Sequence, residues 1–261
     1  MDVDGDSVAD INPSRIHFQS VSASTMFGAS FVALDPSVSA AAFIAAPGLI
    51  PEHARWQPVR RSAIGTALQA RVPSLINAPG LTSIDGVLVA APHFDENKPL
   101  RDQPPVVNTV AGAMEIQKAL EQAEMAAEGI GAVPWAKYLF AAPLTRSYPK
   151  SILYLLGRGD QNAVNPGTSA IVREGGLESR TILYRNDLAF ADDAAVPKNP
   201  HLFAGQPTSP NPTVRAVARG AQEQIAVFFE SFGGLIIHPQ PAQYFEVPIA
   251  GPLPETLDFI P

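Results

Sequence analysis

The sequence predicts an α/β fold with a mostly parallel sheet and flanking helices. Two apolar runs, residues 40–46 and 151–157, show no alternation with polar residues, which is typical of strands covered on both faces. Two longer segments, 106–131 and 211–232, repeat apolar residues at helical spacing and end near glycines, which predicts amphipathic helices. A chain of 261 residues can bury a sizeable core as a single domain.

Composition narrows the function classes. Hydrophobic residues make up 46% and charged residues 16% of the chain, so long disordered segments are not expected. A net charge of −7 argues against nucleic acid and other phosphate-rich partners. The chain has no cysteine, which excludes disulfides, thiol catalysis and thiolate metal sites.

The rest of the chain is assigned in order. A short strand over 15–18 and a helix entry precede the first apolar run, and a helix over 168–175 and a strand over 181–184 follow the second. Residues 47–105 are rich in Pro, Gly and small apolar groups, with helical patches near 62–70. We interpret this segment as a cap-like insertion, with an irregular surface connection as the alternative. The Pro-rich tail, 235–261, is expected to lie extended over the surface.

An acid and a histidine stand where hydrolytic chemistry would place them. The second apolar run stops in Gly157-Arg-Gly-Asp160, a turn whose glycines have the backbone freedom to present the carboxylate. His201 follows in a Pro-bounded loop ahead of the last helix. The order acid, then His, matches the second half of a Ser…Asp…His triad. Asp187 also follows a strand, but without flanking glycines. The alternative for Asp160 and His201 is a capped turn and a loop histidine.

Ser22 is the candidate nucleophile. It lies between a short strand and a helix start, in Ser20-Val-Ser-Ala-Ser24. The usual nucleophile elbow reads G-x-S-x-G, because strand and helix approach closely around the serine. Here both glycines are serines, so we expect roughly 1–3 kcal/mol of local strain. Simple packing of small residues at a helix start is the alternative.

Several further segments, together with these, resemble one family. They are Asp2-Val-Asp-Gly-Asp6, Arg15-Ile-His-Phe18, Asp35-Pro-Ser-Val38, residues 105–117, Gly159-Asp-Gln161, Asn165-Pro166, residues 184–190, Pro197-Lys-Asn-Pro-His201, residues 222–229 and residues 244–248. Over nearly its whole length the chain resembles the C-terminal part of secreted bacterial α/β-hydrolase lipases of the virulence-factor type.

The resemblance implies an α/β-hydrolase-like fold and a serine carboxylesterase or lipase acting on carboxylic ester or lipid substrates, with no required cofactor. Ser22 would be the nucleophile, His201 the base and Asp160 its orienting acid, and the backbone N–H of Ala23 would be one oxyanion donor. The enzymes of this family carry earlier strands and a loop that gives a second donor, and both are absent from the chain. The resemblance also implies a secreted or cell-envelope location, although no signal peptide is visible.

Two function classes stay open. The Asp160 and His201 segments favour a working ester hydrolase. The altered elbow and the absent early strands favour a catalytically impaired remnant of the fold with a binding or structural role. A sheet that starts at the elbow strand would have an exposed edge, so we expect either a homodimer through that edge or an N-terminal segment that covers it.

The remaining candidates are weaker. Asp2, Asp4, Asp6 and Asp10 surround a glycine turn as in calcium loops, so calcium is a candidate ligand there; a solvated acidic turn is the alternative. His17 is expected to be a packed or edge histidine. His53, His93 and His238 lie in Pro-rich segments and are expected at the surface, without a partner at metal-ligand spacing.

Overall fold

The computed structural model describes residues 2–7, 12, 15–77, 82–145, 147–249 and 251–261. The strands of the described residues are β1 (Ile16–Val21), β2 (Val38–Ile44), β3 (Ser83–Ile84), β4 (Val87–Leu88), β5 (Ser151–Gly157), β6 (Thr181–Tyr184) and β7 (Phe245–Glu246). The helices are α1 (Ser24–Leu34), α2 (Ile50–Trp56), α3 (Pro58–Gln69), α4 (Ala113–Ala127), α5 (Ala132–Leu139), α6 (Asn165–Gly175), α7 (Asn186–Asp192) and α8 (Pro212–Glu230).

The main sheet has the order β1-β2-β5-β6-β7, with the first four strands parallel and β7 antiparallel to β6. The predicted α/β architecture with a mostly parallel sheet is therefore confirmed. Parallel neighbours need crossover connections, which helices provide here. The carboxyl ends of β1, β5 and β6 consequently open onto the same edge of the sheet.

The interior strand β2 is covered on both faces, which explains why its sequence does not alternate. Ala40, Ala42 and Ile44 pack into one hydrophobic core with residues of α8. Ala41 and Phe43 pack into a second core with residues of α1, α5 and α6. Because both faces are covered by helices, every position along β2 favours an apolar side chain.

The structure corrects three boundaries. The helix expected over 106–131 covers only Ala113–Ala127, because Gly112 has a positive φ of 76° and breaks the backbone path before it. The segment between β2 and β5 continues past the predicted insertion of 47–105 through α4 and α5, and α5 packs on the sheet with α1 and α6. The tail is not simply extended over the surface: it supplies β7, and Tyr244 and Phe245 are buried in the core beside β6.

Buried charge holds the insertion together around α2 and α3. The Arg61 side chain is 1% exposed and donates to the carbonyl oxygens of Arg55 and Phe94, and its ion-pair partner is Glu96. A buried guanidinium needs such partners because its desolvation is costly. This network fixes α2, and residues of α2 border the same cavity as Ser22, which follows β1.

The strand β1 lies at one side of the sheet. Among the described residues it pairs with β2 alone. The Ser22 N–H donates to the Ile44 carbonyl of β2, so by alternation the backbone groups of Val21 and Gln19 point to the outer edge. The Ser24 hydroxyl donates to the Val21 carbonyl (2.6 Å) and accepts from the Val21 N–H (3.1 Å). The Ser24 side chain therefore satisfies the hydrogen-bonding groups of Val21, which are one part of the outer edge. No helix in the described part of the chain is long and apolar enough to cross a membrane.

Candidate active site

Ser22 occupies the turn between β1 and α1. Its φ is 57°, in the left-handed region that a non-glycine residue enters at a cost of order 1–3 kcal/mol. The turn persists because the Ser22 N–H donates to Ile44 of β2 and the Ser22 carbonyl accepts from the Thr25 N–H. Strained serines at a strand-to-helix turn present Oγ above the sheet edge.

Small residues allow the close approach that this turn requires. Gly28 of α1 lies against the Phe18 ring of β1, and a Cβ at Gly28 would come within 2.6 Å of that ring. At Ser20 and Ser24, the positions that glycines occupy in the usual motif, both hydroxyls are hydrogen-bonded. Ser20 pairs with Thr25 at 2.9 Å, and Ser24 pairs with the Val21 backbone. The serines therefore add contacts around the turn.

Asp160 lies in the loop after β5 and is almost fully buried, at 1% exposure. Gly159 before it has a φ of 76°, a conformation that favours glycine. One Asp160 oxygen, Oδ1, accepts from the backbone N–H groups of Asn162 and Ala163, both at 2.8 Å. These donors stabilise the charged carboxylate and fix its orientation.

His201 joins the acid to the serine. Its Nδ1 lies 2.9 Å from Asp160 Oδ2 and 3.1 Å from Oδ1, and its Nε2 lies 2.8 Å from Ser22 Oγ. With Asp160 as a carboxylate, Nδ1–H donates to it and Nε2 accepts the Ser22 O–H. The structure thus brings Ser22, Asp160 and His201 together in one hydrogen-bonded chain. This arrangement can activate a hydroxyl for attack on a carbonyl carbon.

Three buried or partly buried asparagines, Asn165, Asn186 and Asn199, hold the loops that carry Asp160 and His201. The sequence analysis assigned them no role. Asn165 accepts from the Gly159 N–H and donates to the Gly157 carbonyl. Asn186 donates to the carbonyls of Pro197 and Lys198. All three lie in segments that carry the family resemblance. Their position in those segments, near Asp160 and His201, is the sequence signal that could have identified them.

Asn199 couples the acid loop to the histidine loop directly. Its Oδ1 accepts from the backbone N–H groups of Gln161 and His201, each at 3.2 Å, and its Nδ2 donates to Asn162 at 2.7 Å. Its three hydrogen bonds join the two loops beside the contact between Asp160 and His201. Asn199 therefore has the geometry of a positioning residue.

Asp187, the competing candidate for the acid, pairs with Arg185 and not with His201. Both of its carboxylate oxygens accept from the Arg185 guanidinium, at 2.9 and 2.6 Å. An acid held in this bidentate pair does not orient His201, whose Nδ1 is engaged by Asp160. The preference for Asp160 at the acid position agrees with this geometry.

The other histidines differ in their surroundings. His17 stacks on Phe229 with ring centroids 5.0 Å apart, as expected of a packed edge histidine, and His238 is exposed, as predicted. His93 is partly buried, with its Nδ1 enclosed. The prediction of a surface loop is wrong for His53, which lies in α2 with both ring nitrogens buried. It reaches this position because the helices of the insertion fold back over Ser22.

Two cavities flank the Ser22–His201 contact. One, of about 460 Å³, borders His201 and is lined mainly by apolar groups of β1, β2, the histidine loop and α8, among them Val21, Ile44, Leu202, Ile225 and Phe229. The other, of about 170 Å³, lies under the insertion.

The smaller cavity borders the serine itself. It is lined by Ser22, Ala23, Met26, Pro47, Ile50, His53, Ala54, Gln57, Arg60, Ile64 and Asn162. The Ala23 N–H at the start of α1 donates to no backbone or side-chain acceptor among the described residues. It is therefore free to meet a developing negative charge beside Ser22 Oγ.

The predicted metal residues are seen in part. Asp2, Asp4 and Asp6 form an exposed group whose oxygens could converge on one ion. Asp10 lies outside the described residues. Asp2 already accepts from the backbone N–H groups of Gly5 and Ser7, so the loop has a shape of its own that exposed acidic turns adopt without a metal.

The fold and the site together define an α/β protein with a hydrogen-bonded Ser–His–Asp chain at a strand-to-helix turn. Comparisons of the chain with protein-family models, with curated proteins and with solved structures found no match. The functional argument therefore rests on the geometry of the residues themselves.

Proposed function

We propose that this chain is a serine carboxylic-ester hydrolase with an α/β-hydrolase-like fold, acting through an acyl-enzyme. The observation that carries the proposal is the unbroken chain of contacts from Ser22 Oγ through His201 to Asp160. The strained φ of Ser22 and the free N–H of Ala23 beside it support the same function. These are the parts that acyl transfer requires.

The mechanism follows from the three roles. Ser22 Oγ attacks the ester carbonyl carbon while its proton passes to His201 Nε2, and the carbonyl electron pair moves onto oxygen. The C–O bond to the alcohol then breaks, and the alcohol leaves with the proton from His201. Water repeats the sequence on the acyl-enzyme. Asp160 keeps the imidazole in the required tautomer and stabilises its protonated form.

The cavities favour an ester with an apolar portion. The leaving alcohol must lie on the side of His201, since that residue protonates it, and the cavity of about 460 Å³ lies on this side. Its volume falls within the usual range for small-molecule sites, roughly 300–1,000 Å³. The carbonyl oxygen lies on the side of Ala23, which borders the smaller cavity. We infer that lipid-like or short-to-medium acyl esters fit best.

Ester hydrolysis is tested with a chromogenic butyrate ester and a fluorophosphonate probe. The wild-type chain should turn over the ester and bind the phosphonate covalently at Ser22, located by peptide mass spectrometry. Ser22→Ala should lose both. A folded wild-type chain that shows neither turnover nor labelling would contradict the proposal and favour the remnant with a binding role. Within the described residues the outer edge of β1 has no partner strand, and this observation favours the second function.

Calcium is proposed as a ligand of the N-terminal loop only. The exposed Asp2, Asp4 and Asp6 carboxylates are hard oxygen donors of the kind that calcium prefers. An ion there would stabilise the loop ahead of β1, and no catalytic step depends on it.

A further inference from the structure

The two cavities beside the Ser22–His201 contact differ in which catalytic group they border. Ser22 and Ala23 line the smaller cavity, and His201 lines the larger one. In ester hydrolysis the acyl carbon bonds to the serine oxygen, whereas the alcohol oxygen takes its proton from the histidine. The acid part of an ester therefore belongs to the smaller cavity, and the alcohol part belongs to the larger cavity.

The larger cavity suits a neutral, apolar group. Its volume is about 460 Å³, and no Asp, Glu, Lys or Arg stands among the described residues that line it. Apolar side chains form most of its surface, among them Val21, Leu202 and Phe229. A charged group there would lose its hydration without gaining a partner, which is costly. An alkyl chain, in contrast, gains about fourfold in affinity for each methylene that it buries.

The two amide side chains that line the larger cavity do not require a polar ligand. The Gln222 Nε2 already donates to the Ala204 carbonyl at 2.8 Å. Gln19 is exposed at the outer edge of β1, where water can satisfy its amide. His201 is the remaining polar group, and its Nε2 lies 2.8 Å from Ser22 Oγ. The oxygen of the bound alcohol therefore belongs at the His201 end of the cavity, with an alkyl chain in the rest.

The smaller cavity limits the size of the acid. Its volume of about 170 Å³ is less than half that of the larger cavity, and residues of α2 and α3, among them Ala54 and Ile64, line it. Ala54 is also buried in a hydrophobic cluster with Phe94 and Ile116, and the buried Arg61 holds α2 through its carbonyl contacts. Widening the cavity would require α2 to leave these contacts, so a long acid fits poorly.

We propose that this chain prefers esters that join a short acid to a longer apolar alcohol, with the alcohol held in the larger cavity. This inference rests on the proposed ester hydrolysis. The bond between the acyl carbon and the alcohol oxygen breaks; water supplies OH to the acyl carbon, and the alcohol oxygen receives a proton. The products are a short carboxylic acid and an apolar alcohol. Ala226, an exposed residue of α8 that lines the larger cavity, is then a position that sets the size of the alcohol.

The first test compares two isomeric esters on the unmodified chain. Hexyl acetate joins a short acid to a long alcohol, and ethyl hexanoate joins a long acid to a short alcohol. Both contain the same atoms and release a primary alcohol. Acid release is followed by titration at constant pH, and each rate is divided by the alkaline hydrolysis rate of that ester. The value of kcat/KM should be at least about tenfold higher for hexyl acetate. A smaller ratio, or a preference for ethyl hexanoate, would overturn the proposal.

The second test narrows the larger cavity. Ala226→Phe adds a ring to its wall and should lower kcat/KM for hexyl acetate by about tenfold or more, while the value for ethyl acetate changes less than about threefold. Val227→Phe is the matched control, because it adds the same side chain to α8 at a residue that lines neither cavity. It should keep the wild-type ratio. An Ala226→Phe variant that loses hexyl acetate and ethyl acetate equally, or loses neither, would contradict the assigned alcohol site.

Failure of this preference can be told apart from failure of ester hydrolysis. If both isomers are hydrolysed in a manner that Ser22→Ala abolishes, but their ratio is below about tenfold, the preference is wrong and ester hydrolysis stands. If Ser22 reacts with the fluorophosphonate but hexyl acetate is not hydrolysed, the preference is again wrong, and the serine chemistry stands. If the wild type shows neither labelling nor turnover, both proposals are wrong.

Discussion

His53, whose two ring nitrogens are buried, makes the stability of this protein depend on pH. The imidazole has a pKa of about 4 in the folded chain and 6.5 as its ordinary value, because burial and the nearby His201 and Arg60 disfavour its charged form. A lowered folded pKa means that the unfolded chain binds the proton first as pH falls. The contribution to stability is therefore complete above about pH 6.5 and is lost as pH falls towards about 4.

The size of this effect follows from the two pKa values. Their difference corresponds to about 3 kcal/mol when fully lost, at 1.36 kcal/mol for each unit. At about pH 4.5, where the unfolded imidazole is charged and the folded one is mostly neutral, the loss is about 2.5 kcal/mol. Burial of Glu96 and Glu124 raises the pKa of each carboxyl. Their contributions have the opposite sign, being lost as pH rises.

Urea denaturation near neutral pH and at about pH 4.5 measures the change in the free energy of unfolding. Because Glu96 and Glu124 are present in every variant, the comparison between variants isolates His53. The wild type should lose about 2.5 kcal/mol more than His53→Gln between the two conditions. His238→Gln, an exposed control, should follow the wild type. Equal losses in wild type and His53→Gln would refute the neutral, buried state assigned to His53.

Four further predictions concern the loops and edges of the site. Asn199→Ala should lower kcat by about 10- to 100-fold with little change in KM, because His201 loses its positioning contact; unchanged steady-state kinetics would contradict this. Ser24→Ala should lower the free energy of unfolding by about 1 kcal/mol relative to Ser30→Ala in the same helix, since it removes both contacts to the β1 backbone; equal urea midpoints would count against it. We expect either a homodimer through the outer edge of β1, which Gln19→Pro should weaken, or coverage of that edge by the N-terminal segment; a wild-type monomer at high concentration in sedimentation whose β1 amides exchange freely with solvent would contradict both. Calcium should give a calorimetric binding signal that Asp4→Asn reduces, and the absence of binding heat in the wild type would remove the calcium proposal.

The parts of the fold that could be predicted are those encoded by local pattern. The apolar run over 151–157 is the strand β5 with the same bounds, and 181–184 is β6. Both follow from burial on two faces, which leaves a signal at every residue. The antiparallel strand β7 could not be predicted, because two residues in a Pro-rich tail carry no periodicity. It forms through long-range pairing with Leu183 and Tyr184 of β6.

In the site, too, the residues set by local sequence pattern could be predicted, and those placed by long-range packing could not. The order of Ser22, Asp160 and His201 along the chain, with their local turns, was sufficient to nominate the three side chains that the structure brings together. His53 was missed because its Pro-rich neighbourhood is typical of a surface segment. Its burial depends on how α2 packs in the folded insertion, about thirty residues away in sequence from Ser22. Sequence position alone could not relate the two.

The elbow shows how a departure from a motif can be compensated locally. Glycines at positions 20 and 24 would allow close approach of strand and helix, and serines were expected to introduce strain there. In the structure, the Ser20 hydroxyl pairs with Thr25, and the Ser24 hydroxyl satisfies both backbone groups of Val21 at an edge where β1 has no neighbouring strand in the described part of the chain. An unpaired backbone group at the end of a strand is exposed to water and to other strands. The serine at position 24 therefore does what a glycine could not, because it satisfies the two edge-facing backbone groups of Val21 while the positive φ remains at Ser22, the residue that must project from the turn.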